Sequence, residues 1–558
     1  MQKKYLITSA LPYVNGELHI GHLIGCLLPS DVYARFCRMC GRDVLFVCGA
    51  DENGTPSIVG AQKEGISISE YTQGWYEKQL CAIKSFDLSF DLYGRTHTEL
   101  HNEIVQSVFT GLDKKGLIYE RATLQPYSVD DKMFLADRQI EGICPKCGYE
   151  HARGDQCDIC GATYEVSELK SPYSVISGSH NIEMRETKNL FFRLSDENVV
   201  KNWRDWLKQT SVNWSHSAYA VANGWAAEGL HDISITRDLP WGVPVNKPGY
   251  EDKVFYVWFD APWGYVSISA AANKNWRDWW QPSEQTNVFY AQFMGKDNLK
   301  FHSVYFPAQE TATGDNWKRV DLLKGLNFLN FEGAKISKST GNGIFLADAL
   351  NYAPSDCWRY ALLASAPETD DTDFTLQRFA DIVNKDLNGI LGNFVSRVCK
   401  ITEKNFGNSV PNAGGDTPEK TELHDTINSE LKKLTDALEK CEFRRAVESL
   451  RLIWSAGNEY FTKMEPWALV KTDPVAAGAV LNECFQLIDF YALISGIFIP
   501  HAVAKMSQIF PGRCDINDWP EKFQHRIKSG TTFQTPENLF SRITDEQITE
   551  MTEKYVRK

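Results

Sequence analysis

Two histidines in His19-Ile20-Gly21-His22 and two lysines in Lys335-Ile336-Ser337-Lys338-Ser339 are the residues of this chain best suited to phosphate chemistry. The first group follows an apolar, strand-like run, Tyr5 to Ala10, and the turn residues Pro12, Asn15 and Gly16, and it opens a helix-like segment. A helix N-terminus gathers unpaired N–H groups and the positive end of the helix dipole, which suits a phosphate. Imidazoles placed there add donors able to hold the triphosphate of ATP while charge builds at the α-phosphorus. The second group lies in a stretch of small hydroxyl residues and glycines that reads as a mobile loop, where two movable ammonium groups suit a departing pyrophosphate. Alone, the first pattern is met by surface histidines beside a helix start and the second by a solvated loop. Both in one chain, in this order, point to nucleotide activation.

Four of the fourteen cysteines stand apart: Cys144-Pro-Lys-Cys147-Gly and Cys157-Asp-Ile-Cys160-Gly. Each C-x-x-C-G turn aims two thiolates at one centre, and the short interval folds back to complete a tetrahedron. Zinc prefers four sulfurs, and four protein ligands leave no open position, so one structural zinc is expected. A third pair, Cys37 and Cys40, closes the helix-like run Leu27 to Met39 with no partner pair nearby and reads as core or surface.

These residues need a scaffold. Strand-like and helix-like segments alternate from Tyr5–Ala10 through Ile20–Met39 and Val44–Cys48 to Tyr71–Phe86, which predicts an α/β fold with a doubly wound parallel, Rossmann-like sheet over residues 1–115. The dinucleotide pattern G-x-G-x-x-G is absent. Residues 116–232 are irregular, carry the cysteines and read as an inserted connective domain. Strand-like runs return at Lys253–Phe259 and Asn287–Met294, so residues 233–325 read as the second half of the sheet. Residues 326–383 hold the lysine loop. From 384 to 558 helical periodicity dominates, as in Ile427, Leu431, Leu434, Leu438 and Phe443, Val447, Leu450, Trp454, with a polar linker at Gly407–Glu419.

Composition sets outer limits. With 43% hydrophobic and 23% charged residues over 558 positions, the chain is globular and large enough for several domains. The most apolar stretch, Phe490–Ala504, contains Pro500 and His501 and reads as a buried helix, and no N-terminal signal core is present. A cytoplasmic protein without membrane or DNA partners is expected. The net charge of −13 argues against a sequence-independent nucleic-acid coat. It leaves room for a folded RNA held in a local basic groove, since screening confines fields to roughly 8–10 Å.

The longer phrases narrow the reading. Ala10-Leu11-Pro12-Tyr13-Val14-Asn15-Gly16, Gly49-Ala50-Asp51-Glu52-Asn53-Gly54-Thr55-Pro56, Tyr256-Val257-Trp258-Phe259-Asp260-Ala261-Pro262 and Gly295-Lys296-Asp297 resemble the methionyl-tRNA synthetase family, over essentially the whole chain. The nucleotide motifs alone are shared by every class I aminoacyl-tRNA synthetase. The resemblance implies a methionine–tRNA ligase, with L-methionine, ATP and the initiator and elongator tRNA(Met) as partners and Mg2+ accompanying the ATP. It assigns ATP to His19, Gly21, His22, Gly295, Asp297, Lys335 and Lys338, with His19, His22, Lys335 and Lys338 catalytic. It assigns methionine to Ala10, Leu11, Tyr13, Asp51, Trp258, Ala261, Pro262, Tyr265 and His302, the Asp51 carboxylate pairing with the substrate ammonium. Read without it, Asp51 is a turn residue and the aromatics are core.

In the helical third, the resemblance gives anticodon reading to Asn393, Arg397 and Trp467. Asn393 and Arg397 share a helix face, and Pro466 marks a helix start beside Trp467; a core tryptophan and a solvated pair is the plainer alternative. Ile336 replaces the methionine usual in the lysine motif, one knuckle stands where some relatives have two, and the chain stops before the C-terminal domain of others, which favours a monomer. A leucine, isoleucine, valine or cysteine enzyme would share the nucleotide motifs, but the large ones need a bigger insertion than 116–232 holds, and a small nucleotidyltransferase would lack the helical third. A retired synthetase that only binds RNA is disfavoured by the intact histidines and lysines.

Overall fold

The structure is a computed structural model and describes residues 3–135, 139–154, 157, 159–160, 162, 164, 166–337, 340–511 and 518–557. The chain forms two compact units. The first comprises Met1–Glu17, Leu45–Cys81 and Phe90–Gly325; the second comprises Leu18–Val44, Ala82–Ser89 and Leu326–Lys558.

The first unit is built on a five-stranded sheet of β1 (Lys4–Ser9), β2 (Asp43–Ala50), β3 (Leu92–Arg95), β4 (Val288–Gly295) and β5 (Leu322–Leu326), in the order β5-β4-β1-β2-β3. Runs such as Leu6-Ile7 and Leu45-Phe46-Val47 are apolar on successive residues because both faces of a parallel sheet are covered. β1 pairs in parallel with β4, Ser9 opposite Phe293, and β2 pairs in parallel with β3. Strand order runs one way from β1 to β3 and the other way from β4 to β5. The crevice beyond the carboxyl ends of β1 and β4 is therefore a topological switch point, where open α/β sheets bind ligands.

The insertion is antiparallel. Ile118–Ser128 and Ile182–Phe192 pair along their full lengths, and a small sheet of Ile140–Ile143, Ala152–Arg153 and Lys170–Ser174 carries the cysteine turns. One expected strand is corrected. Of Lys253–Phe259 only Val254–Phe255 is extended, paired with Thr236–Arg237 outside the main sheet; Val257–Asp260 is a helical turn. Its aromatic and β-branched residues favour a strand locally, but Ala261-Pro262 continues the helical path in a 3-10 turn, and burial overrides propensity.

In the second unit, helix α1 (Leu28–Met39) follows the turn Ile20–His22 and a π-helical stretch, Leu23–Leu27. α2 (Ser355–Ala364) lies against it through a wholly buried ion pair: Arg359 Nη2 donates to Asp31 Oδ2 at 2.7 Å. The remaining guanidinium N–H groups donate to the carbonyls of Phe86, Ile497 and Phe498. Asp31 also accepts from Arg35 and from the amide and hydroxyl of Ser89, and these partners hold its carboxyl below the usual range although burial pushes it up.

Helices α3 (Asn393–Phe406), α4 (Pro418–Glu439), α5 (Phe443–Met464), α6 (Pro466–Thr472), α7 (Pro474–Ser495) and α8 (Pro500–Ser507) form the expected helical bundle. Asp473 caps α7 by accepting from Ala476 N, ahead of a proline in the first turn. α7 is long and apolar enough to cross a membrane, but 83% of its most apolar window is buried inside the protein. The predicted helix across Phe490–Ala504 is interrupted instead, since Pro500 opens α8 after a break at 496–499. The described residues 518–544 contain no helix; the Asn428 side chain accepts from Phe523 N, and the Gln486 side chain accepts from Arg526 N and Ile527 N.

Candidate functional site

The predicted methionine residues all fall in the first unit, around the carboxyl ends of β1, β2 and β4. Ala10 N donates to Phe293 O, which ties the end of β1 to β4. Asp51 N donates to Pro12 O at 2.8 Å and Val14 N to Asp51 O at 3.2 Å, so the loop after β1 is sewn to the loop after β2 and Tyr13 bridges Asp51. A Cβ on Gly264 would stand 2.8 Å from Leu11 Cδ1, so that glycine lets Leu11 close over the helix Gly264–Ala272. Pro262 and Tyr265 are buried at the start of that helix, while Ala261 and Trp258 are half-exposed. The Trp258 ring lies 4.8 Å from Phe301, next to His302.

His302 is neutral: burial drives it down to about 4, against the pull of the Asn298 carbonyl. Its Nδ1 is 3.0 Å from Asn298 O and its Nε2 2.9 Å from Tyr265 Oη, which makes Nδ1 the donor and Nε2 the acceptor. An uncharged, aromatic-walled end of this kind suits a thioether, whose sulfur–aromatic contacts are worth ~0.3–1.5 kcal/mol each.

Asp51 is the electrostatic centre of this region. It is buried, and its Oδ1 has no hydrogen-bond partner among the described residues. Burial first, and then the neighbouring charge of Asp260, push its carboxyl well above the usual range, against one backbone N–H from Asn53. Such a group regains its charge when a cation arrives. Behind it stands a buried network that the motifs did not reveal: Asn53 Nδ2 donates to Asp260 Oδ2 at 2.7 Å, and His101 Nε2 lies 3.3 Å from the same oxygen. Asn53 and Asp260 sit inside the quoted phrases. His101 lies in the first turn of the helix Glu99–Lys114, distant in sequence, and no local signal marks it.

Gly295 ends β4, and Asp297 lies in the turn Lys296–Asn298 that follows it. A Cβ on Gly295 would meet Asp297 Oδ1 at 2.8 Å, so glycine allows the exposed carboxylate to fold back toward the strand end.

The two phosphate motifs both belong to the second unit, and they touch. A Cβ on Gly21 would lie 2.9 Å from His19 Nδ1 and 3.3 Å from Ile336 Cδ1, and Ile20 N donates to Ile344 O at 3.1 Å. Ile336 thus occupies the space beside Gly21. The helix-start reading needs one refinement. His19 Nδ1 accepts from Gly21 N and His22 Nδ1 accepts from His19 N, both at 3.1 Å, so these amides are used internally. In the neutral rings the proton is then on Nε2 in both cases, which makes the imidazoles the donors. Lys335 is exposed on the strand Ala334–Lys335. Lys338 and Ser339 lie outside the described residues.

Of the residues expected to read an anticodon, Arg397 and Trp467 come together. Asn393 and Arg397 are exposed on α3, and the Arg397 guanidinium sits 5.2 Å from the half-exposed Trp467 ring and 4.8 Å from Phe461.

The cysteines meet the geometry asked of them. Sγ atoms pair at 3.8 Å (Cys144 and Cys160) and 3.6 Å (Cys147 and Cys157), and all four fall within 4.8 Å of one another. Burial opposes ionisation of Cys144, yet N–H groups of Cys147 and Lys146 and the neighbouring thiols lower it to about 6. Cys147 moves the opposite way: against a backbone N–H from Tyr149, burial and the thiol neighbours that share the charge push it up to about 12. It is the spacing of four sulfurs around one centre that fits a closed metal site. Cys37, by contrast, is buried in the core and raised to about 12 by that burial.

Comparison with known proteins agrees with this geometry. The family model for class I tRNA synthetases (M) matches residues 5–399, and that for the anticodon binding domain of methionyl tRNA ligase matches residues 410–558. The chain is 43% identical to methionine–tRNA ligase 1 of Acaryochloris marina and 42% identical to methionine–tRNA ligase of a Caulobacter species, with 99% of each chain covered. Its fold is similar to that of Mycobacterium tuberculosis methionyl-tRNA synthetase bound by methionyl-adenylate, with a TM-score of 0.79 at 24% identity over 97% of this chain and 100% of that one. On the strength of these matches along its whole length, the chain belongs to the methionine–tRNA ligase family of class I tRNA synthetases.

Proposed function

We propose that this protein activates L-methionine with ATP to methionyl-adenylate and transfers the methionyl group to initiator and elongator tRNA(Met), releasing pyrophosphate and AMP. The observation that carries this reading is the contact of Gly21 with Ile336, which gives one nucleotide both a pair of Nε2–H donors and the lysine loop. Asp51 takes the substrate ammonium, and Tyr13, Trp258, Tyr265 and His302 enclose the side chain, with Ala10, Leu11, Ala261 and Pro262 shaping the space. The methionine carboxylate attacks the α-phosphorus directly. His19 and His22 hold phosphate oxygens as charge builds, and Lys335 and Lys338 stabilise the departing pyrophosphate. Gly21 and Gly295 let the nucleotide approach the backbone, and Asp297 accepts from ribose hydroxyls. Magnesium enters with the ATP phosphates as part of that substrate. Cys144, Cys147, Cys157 and Cys160 hold a structural zinc that braces the insertion.

The domain reading that goes with this is catalytic at 1–115 and 233–325, connective at 116–232, stem-contact at 326–383 and anticodon-binding at 384–558, in a cytoplasmic enzyme. Arg397 packed on Trp467 supports the last assignment, because single-stranded bases are read by stacking, worth ~1–3 kcal/mol per base, and by edge hydrogen bonds.

ATP–pyrophosphate exchange measured against all twenty amino acids is expected to respond to methionine. A response to another amino acid, or none, overturns the reading. Trp467→Ala is expected to lower aminoacylation about tenfold or more (~1.4 kcal/mol per decade) with exchange unchanged. A parallel loss of both makes Trp467 a packing residue.

A further inference from the structure

A second cluster of metal-ligating atoms lies in the helical bundle. His424 on α4, Glu483 on α7 and His525 in the non-helical segment 518–544 bring one ligand atom each within 4.8 Å of one another. His424 Nε2 is 2.7 Å and His525 Nε2 2.9 Å from the same oxygen, Glu483 Oε1. None of the three belongs to the motifs assigned above.

The arrangement is held from outside. Gln486, one turn along α7 from Glu483, accepts through Oε1 from the backbone N–H groups of both Arg526 and Ile527, at 2.8 and 2.9 Å. Arg526 is ion-paired with Asp489 on the next turn. The backbone beside His525 is therefore fixed to the helix that carries the carboxylate. Phe523 packs against both imidazoles, with ring centroids 4.9 Å from His424 and 5.6 Å from His525. Glu483 is fully buried, and its second oxygen, Oε2, has no hydrogen-bond partner among the described residues; Lys420 Nζ is 3.6 Å away. The two imidazoles remain 30% and 42% exposed, which gives a route from solvent and room for water.

We propose that His424, Glu483 and His525 form a second site for a borderline divalent transition metal, with Zn2+ the best fit by ligand type. Two imidazoles and a carboxylate are a zinc donor set, and a solvent molecule completes the tetrahedron on the exposed side. Zinc–ligand bonds of about 2.0–2.2 Å place neighbouring ligand atoms roughly 3.4 Å apart. The present contacts of 2.7 and 2.9 Å need to open by only about 0.5–0.7 Å, which side-chain rotation of the partly exposed histidines supplies. Loading exchanges two N–H···O hydrogen bonds for metal bonds and moves the imidazole protons to Nδ1. Lys420 offsets part of the carboxylate charge, so the site binds more weakly than the four-cysteine knuckle. Its consequence is mechanical: the metal clamps a segment without secondary structure of its own to α4 and α7.

Chelator-stripped full-length protein, dialysed against Zn2+ and assayed for metal, tests this. Wild type is expected to retain one equivalent more than either His424→Gln or His525→Gln, both of which keep an amide donor for Glu483. Cys144→Ser reports the knuckle separately, so failure there is distinguishable. Co2+ loading adds a spectroscopic signature: the knuckle gives sulfur-to-metal charge transfer. The proposed site gives only ligand-field bands, which vanish in both glutamine variants. Equal metal content and unchanged Co2+ spectra in wild type and folded glutamine variants, checked by circular dichroism, overturn the site and leave an ionic clasp.

Discussion

Asp31 and Asp51 are both buried aspartates, one in each unit, and they behave in opposite ways. Asp31 meets two guanidinium groups and two groups of Ser89, and its carboxyl is held below the usual range despite burial. Asp51 meets a second carboxylate, and its carboxyl is pushed well above that range. The fold supplies the compensating charge in the first case and withholds it in the second. A buried charge that is already neutralised serves structure, whereas one left without a cation is suited to a cationic ligand.

The largest expected effect tests the compensated partner. Arg359→Met leaves Arg35 as the one guanidinium on Asp31, beside the Ser89 donors, and strips donors from three buried carbonyls, so unfolding free energy is expected to fall by about 3–5 kcal/mol in denaturant titration. A loss under about 1 kcal/mol would mean that the pair is not what joins α1 to α2, and the contrast with Asp51 would collapse.

Next comes Asp51→Asn. Removing one partner of a buried ion pair with substrate is expected to lower kcat/KM for methionine in the exchange assay by about 2–5 kcal/mol, with ATP affinity nearly intact. Stability should move the other way. The native carboxyl holds its proton above 3.8 while the unfolded one ionises, so wild type loses stability as pH rises through the interval up to the raised native value. Asp51→Asn escapes that loss and is expected to be as stable as wild type or more so at neutral pH. Destabilisation comparable to Arg359→Met would make Asp51 a structural residue.

The smallest effect sharpens the cause. Asp260→Asn removes the charge that helps hold Asp51 protonated, so the acid limb of the pH profile of kcat/KM for methionine is expected to move to lower pH. An unmoved limb would leave burial as the whole cause.

Much of this site was legible in the residues. Phosphate donors, paired lysines and C-x-x-C turns announce their chemistry through type and spacing, and β1, β4 and the bundle helices follow from local apolar patterning. The Lys253–Phe259 segment was not legible. Its strand propensity is real, but it sits where a buried helical turn is continued by Ala261-Pro262, and that continuation is a tertiary demand. Lys338 reads clearly in the sequence but lies outside the described residues.

The sequence by itself determined which chemical groups the protein owns: imidazoles, ammonium groups, thiolates and an acidic loop after a strand. Short-range physics suffices for that, because turns, caps and metal knuckles are set by neighbouring residues. Only the tertiary structure decided which of those groups carry charge. Asp260 reaches Asp51, Arg359 reaches Asp31, and both histidines reach Glu483 across long stretches of chain. A carboxylate's ionisation depends on burial and on the nearest charges in space, and neither quantity is written locally in the chain.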